Sequence, residues 1–212
     1  MADPTWIAAA LTVAVLAIYE VVLAIAQRHR PGKLARSAHA ALRADWFAAV
    51  SAQKGSEVLA VQTMRNSLMS ATMTASTAVI GLMGTATLAA PSLNAGFGEA
   101  LTGTPHLSAR LALELILMAL LFASFVASAM AVRYYNHVTF IGGTPVDSDA
   151  RRRWSEAGTI YVRRAGLLYS WGLRQLILVA PILACILYPF AGPFAALAVV
   201  AVLMVFDRFG IV

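Results

Sequence analysis

Several stretches of this chain are apolar for long enough to cross a lipid bilayer as helices, and such stretches leave few folds open. A helix needs about 20 residues to span a hydrocarbon core of roughly 30 Å. Inside that core each backbone polar group must be satisfied by the segment itself, which favours α-helices over open sheets. Trp6–Ala26 carries one charge, Glu20. Ser67–Ala90 and Ala109–Val132 are the next two runs. Leu167–Phe206 is too long for one crossing and is interrupted by Tyr188-Pro189-Phe190-Ala191-Gly192-Pro193. Gly and Pro at that density mark a turn. The run therefore divides into Leu167–Tyr188 and a short Phe194–Phe206, which is either a fifth crossing or a tilted or re-entrant half-crossing.

Composition agrees. The 212 residues are 60% hydrophobic and 12% charged, where soluble domains carry roughly 25% charged residues. The expectation is an all-α, polytopic transmembrane bundle of four to five segments, a single domain over residues 1–212. Cys185 is the one cysteine. No disulfide can form within the chain, and Cys185 reads as a small packing residue.

The net charge of +6 has a distribution that sets orientation. Arg28, Arg30, Lys33, Arg36, Arg43, Lys54 and Arg65 fall between the first two runs, and Arg133, Arg151, Arg152, Arg153, Arg163 and Arg164 between the third and fourth. Pro91–Ser108 contains no Lys or Arg. Basic residues mark cytoplasmic loops, so the N-terminus is expected outside, with the first run a retained anchor in a bacterial inner membrane. The two basic loops suit anionic lipid headgroups. No recognition motif accompanies the charge, so nucleic acid is not expected as a partner. Leu34–Val50 is Ala-rich and reads as a cytoplasmic interfacial helix. Trp46, Phe47, Trp154 and Tyr161 suit interfacial anchoring. Gly55-Ser56 is a break and a plausible N-cap, with Glu57 suited to a first turn. A helix from Glu57 to about Ala90 would extend beyond the bilayer into the cytoplasm.

That second helix is rich in small polar residues. At 100° per residue, Thr63, Asn66, Ser70, Thr74, Thr77, Gly81 and Gly84 fall within an arc of about 80°. Such a stripe is either a packing seam, within the chain or between copies, or the lining of a polar path. Ionisable and amide groups gather towards the cytoplasmic ends of four runs: Glu20, Gln62, Arg65, Asn66, Arg133, Asn136, Arg174 and Gln175, with His137 beside them. Intramembrane charges usually pair or serve a pathway. The cluster is therefore either a structural knot, in which Arg65, Arg133 or Arg174 compensates Glu20, or a site for an anion or headgroup. On the opposite side Arg110 and Glu114 are four apart and should pair, while His106 reads as a solvated loop residue. No catalytic motif, P-loop or metal-ligand spacing is present. The Gly-containing stretch NAGFGEALTG follows a membrane run and does not suit a phosphate loop. No enzyme activity, cofactor or metal is expected.

Three stretches resemble a known family. VLAVQTMRNSLMSAT is similar to the Leu-Ala-Val-Gln-Thr-Leu-Arg-Asn signature of a bacterial and plant membrane family, domain of unknown function 599. VASAMAVRYYNHVTFIGGTP resembles its Ser-x-Arg-x-x-Asn segment ending in Thr-Pro, and LYSWGLRQLILVAPILACILYPFAGP its C-terminal pair of apolar runs. The resemblance covers residues 6 to 209 and gives Gln62, Arg65, Asn66, Arg133, Asn136, Thr144 and Pro145 the family motifs. It implies a membrane protein and no particular chemistry. The expected function is an oligomeric channel or transporter for a small solute or ion. The alternative is a non-catalytic scaffold or accessory subunit that binds lipid or another membrane protein.

Overall fold

A computed structural model describes residues 3–29, 32, 34–97 and 107–208. His106 and most of NAGFGEALTG lie outside the described residues. Six helices follow in order: α1 (Pro4–His29), α2 (Ala35–Ala52), α3 (Glu57–Phe97), α4 (Ala109–Gly143), α5 (Asp149–Leu187) and α6 (Ala191–Asp207). Among the described residues the only extended pairing is an isolated bridge between Leu34 and Arg208. The architecture is an all-α bundle. Helices α1, α3, α4 and α5 are each long and apolar enough to cross a membrane, and α6 is a shorter apolar helix of 17 residues. Many large apolar side chains point outwards, among them Ile18, Ile80, Leu88 and Phe206. A soluble monomer rarely exposes apolar surface on this scale, whereas lipid-facing helices require it.

Three helices outrun the expected segments. The stretch from Arg133 to Ala165, read above as a loop, is mostly helix. Helix α4 continues to Gly143 and α5 begins at Asp149. The continuation is stabilised by burial on one face: Tyr135 and Val138 of α4 and Val162 and Ala165 of α5 share a core cluster. Their outward neighbours are charged, so mean hydropathy falls while the helical period persists. Helix α3 likewise passes Pro91 and ends at Phe97. With 41 residues it is about 62 Å long at 1.5 Å per residue. The turn at Tyr188–Phe190 is where the sequence places it. Pro193 sits in the first turn of α6, where its missing N–H costs nothing.

The chain packs as two compact units. The first comprises Met1–His29, Thr77–Ala123 and Arg174–Phe206. Its core joins Leu16 and Tyr19 of α1, Leu113, Leu117 and Leu121 of α4, Leu178 and Ile182 of α5, and Ala196 and Leu203 of α6. Close approach here depends on Gly192. A Cβ at that position would lie 2.5 Å from both Cys185 Cβ and Thr12 Oγ1. Cys185 is buried, as a packing residue should be.

The second unit comprises Arg30–Ser76, Ser124–Leu173 and Asp207–Val212. Helix α2 belongs to its core. Phe47, expected at the lipid interface, is fully buried against Gly158 and Ile141, because the missing side chain of Gly158 leaves the ring its place. A Cβ there would come within 2.5 Å of the Phe47 ring. Ser124 Oγ donates to the Gly172 carbonyl at 2.8 Å, which draws α4 and α5 together where glycine leaves room. Gly55 makes the α2–α3 turn at a φ of 84°, a left-handed conformation that favours glycine. Ser56 stands before α3 as expected, but its hydroxyl is within 2.6 Å of the Val50 and Gln53 carbonyls. It thus satisfies the end of α2 in addition to marking the start of α3.

Candidate functional site

The second unit is organised around Arg151. The basic-loop expectation gave this residue to lipid headgroups; instead it is 1% exposed. Helix ends leave carbonyls short of partners, and at the end of α4 Arg151 Nη1 donates to the Ile141 carbonyl, which also accepts the Thr144 amide, and to the Thr144 carbonyl just beyond the helix. Nη2 donates to Ser51 Oγ of α2 at 3.2 Å. The guanidinium lies 5.8 Å from the centre of the Phe47 ring. One side chain thus ties α2, α4 and α5 together. Burial pulls the Arg151 pKa below the ordinary guanidinium value, and the nearby Glu57 charge opposes that shift. Glu57 in turn accepts a hydrogen bond from the Val146 amide at 3.3 Å. Its carboxyl is held below the ordinary value by its own amide first, then by the Val146 amide, with a smaller contribution from Arg151. Outside this knot Lys54 and Asp147 pair at 2.7 Å, well exposed, and add little.

Beside the knot lie two adjoining open cavities, one walled by α4 and α5 and one on the exposed face of α4 alone. One of about 470 Å³ is lined by His137, Phe140, Thr144, Arg151, Trp154 and Tyr161, among others. The second, about 540 Å³, lies along α4 between Ala129 and Phe140 and includes Arg133 and Asn136. They share His137 and Phe140, so they form one groove. Arg133, Asn136, His137, Phe140 and Thr144 recur at three- and four-residue steps and hence share a face of α4. The His137 ring is set against Tyr161 at 6.1 Å between centroids, and Tyr161 against Tyr134 at 5.4 Å. Of the groups singled out in the sequence, Arg133 and Asn136 therefore enter a concave site.

The others are placed differently. Gln62, Arg65 and Asn66 also belong to the second unit and are exposed on α3. Glu20, Arg174 and Gln175 belong to the first unit. Arg174 is buried, with its guanidinium 5.5 Å from the centre of the Tyr19 ring. The stripe on α3 divides. Thr74 is buried, and Gly81 faces Leu121, whose side chain would lie 3.1 Å from an added Cβ. Asn66, Ser70, Thr77 and Gly84 are exposed. The packed face lies one step round the helix, at Ala60, Met64, Ala71, Ala78 and Ala89. Ser67, Ser70, Thr72, Thr74 and Thr87 each donate to the carbonyl four residues earlier. Their hydroxyl protons are satisfied within the helix. Arg110 and Glu114 pair at 2.9 Å, as their spacing predicts, with Glu114 buried. Among the described residues no cluster of His, Cys, Asp or Glu is arranged to hold a metal ion.

The sequence matches the family described as "Protein of unknown function, DUF599" over residues 7–210. The chain belongs to this family. No curated protein and no solved structure matches it. The family signature residues Gln62, Arg65 and Asn66 lie in the part of α3 assigned to the second unit. Arg133, Asn136 and Thr144 line the groove of that unit. The sequence gives Arg151 to a basic loop and Phe47 to the lipid interface, and it does not single out Gly158; the structure buries all three in one core. The available signal was Arg151 in a charge run directly after the turn, six residues after Pro145, which hydropathy treats as solvent-facing.

Proposed function

We propose that this membrane protein acts as a homo-oligomeric channel or transporter for a small solute or ion. In this arrangement the exposed side of α3, where Asn66, Ser70, Thr77 and Gly84 are interleaved with Met73, Ile80 and Leu88, faces the path. One observation carries the proposal: Asn66, Ser70, Thr77 and Gly84 stay exposed while the alanine face beside them is packed. Helix α3 has the smallest buried share of the four long apolar helices. Lipid gains nothing from an amide and a row of hydroxyl lone pairs, whereas water or a second copy would use both. Too few helices are present to enclose a pore alone, so several copies are part of the proposal. The basic stretches favour an N-terminus outside.

The same exposed face supports a second function, a scaffold or accessory subunit in which α3 is a dry seam. Reconstitution into liposomes with flux measurements, alongside the oligomer mass, separates the two. A wet path predicts that Thr77→Ala alters flux with assembly intact and that Thr77→Leu blocks flux. A seam predicts that Thr77→Leu dissociates the oligomer while Thr77→Ala is mild, since interhelical hydrogen bonds in membranes average only about 0.6 kcal/mol. A monomer with neither flux nor response to either substitution would refute both.

A further inference from the structure

We propose that the open groove along the exposed face of α4, where it runs up to α5, binds the phosphate end of an anionic phospholipid, with Arg133, Asn136 and His137 as the headgroup contacts. Charge is the first reason. Among the described residues, the walls of the two adjoining cavities carry Arg133, Arg151 and His137 and no carboxylate. Arg151 makes its hydrogen bonds to neutral carbonyls and a hydroxyl, and the nearby Glu57 carboxylate offsets part of its charge, so Arg133 is the main cation of the groove. Among the described residues, neither the Arg133 guanidinium nor the Asn136 amide has a protein partner, although both line the cavity wall. A guanidinium beside an amide offers several N–H donors in a fixed fork, which suits a phosphate.

Position is the second reason. Arg133 is the first charge after the apolar run of α4, where the basic-loop rule places the cytoplasmic headgroups. Ala129 and Val132 line the same cavity one turn earlier, on the membrane side, and offer an acyl chain an apolar wall. Phe140 and Trp154 stand at the rim, 77% and 51% exposed, as aromatic residues do at headgroup level. The cavity beyond the phosphate position, about 470 Å³, leaves room for a headgroup against Tyr161 and Thr144. A soluble phosphate ester would present the same chemistry without the chain. The groove is independent of the α3 face, so it stands whether or not the protein moves a solute.

The test is native mass spectrometry of the full chain in nonionic detergent, titrated with phosphatidylglycerol, phosphatidylcholine and glycerol 3-phosphate. Phosphatidylglycerol should bind at least tenfold tighter than phosphatidylcholine. Arg133→Gln and, independently, Asn136→Asp should each weaken it at least tenfold, the second by placing a carboxylate in the groove. Arg133→Lys should fall between the parent and Arg133→Gln, because it keeps the charge and loses the fork, and the exposed Arg163→Gln should change nothing. Displacement of the lipid by glycerol 3-phosphate at similar concentration supports the phosphate site and makes a soluble ester its ligand. Failure to displace it supports the lipid. Equal binding of the two lipids, unchanged binding by both Arg133→Gln and Asn136→Asp, or an equal loss with Arg163→Gln would each overturn the proposal, the last by reducing it to surface charge.

Discussion

Replacing Arg151 by Met tests whether one buried cation holds the second unit together. Methionine keeps an unbranched apolar stem beside Phe47 and removes every donor. Three hydrogen bonds are lost, to the Ile141 and Thr144 carbonyls and the Ser51 hydroxyl. Bonds from a charged donor contribute roughly 1.5–3 kcal/mol each. A cation at the C-terminal end of a helix adds about 0.3–1 kcal/mol. In the other direction, a guanidinium that is 1% exposed bears a desolvation penalty of several kcal/mol, which the substitution relieves. Burial already pulls its pKa down, in keeping with that penalty. The Thr144 carbonyl and Ser51 hydroxyl left behind set the balance, since a buried group without a partner costs about 1–3 kcal/mol, while the Ile141 carbonyl keeps the Thr144 amide. The net expectation is a loss of about 2–4 kcal/mol. Arg151→Lys should fall between, because one ammonium cannot span acceptors on α2 and α4 at once. Equilibrium unfolding in mixed micelles, followed by circular dichroism, measures both. A methionine variant within about 0.5 kcal/mol of the parent, or a lysine variant equal to it, would refute the role assigned to Arg151.

Three further outcomes are expected. Gly192→Ala should destabilise by about 1–3 kcal/mol, because its Cβ would meet Cys185 and Thr12 at 2.5 Å, while Gly84→Ala, with open space beside it, should be near neutral by the same unfolding assay. The Glu57 carboxyl has its folded pKa below the ordinary 4.5, so its contribution is complete above about that pH and is lost as pH falls through the lower folded value; Glu57→Gln should flatten that acid limb in a pH series. A cysteine at Ser92 in a Cys185→Ser background should react with an impermeant thiol reagent from outside and one at Ser148 should not, the reverse pattern refuting the orientation.

Much of the fold was legible because lipid imposes simple constraints. Length and apolarity locate the spans, Tyr188–Pro193 locates the last turn, and Gly55-Ser56 the start of α3. The extensions of α4 and α5 were harder to read. Arg133, Arg151, Arg152, Arg153, Arg163 and Arg164 lower the mean hydropathy there, yet Tyr135, Val138, Val162 and Ala165 keep one buried face. A window average erases a stripe that a period would retain. Interfacial aromatic residues were read by type, and type does not separate Phe47, which is buried, from Trp154, which is exposed. What separates them is Gly158, more than a hundred residues from Phe47, whose missing side chain makes the ring's place.

Charge was also read by type, and here the structure reorders it. Depth along the apolar runs gathers Glu20, Arg65, Arg133 and Arg174 into one group, but depth is one coordinate of three. Arg174 is buried beside Tyr19 in the first unit, whereas Arg133 and Arg65 are both exposed in the second, Arg133 at the wall of the groove and Arg65 on α3. Arg151 goes to helix-end carbonyls, a destination set by where α4 stops. A helix terminus is thus a hidden acceptor site for a nearby arginine, and the chain's basic residues divide accordingly. Those that find carbonyls become structural, and those that find only other cations and amides, as Arg133 does, keep their donors available. That division separates the free donors of a candidate anion site from a fold-stabilising arginine that lines the same groove.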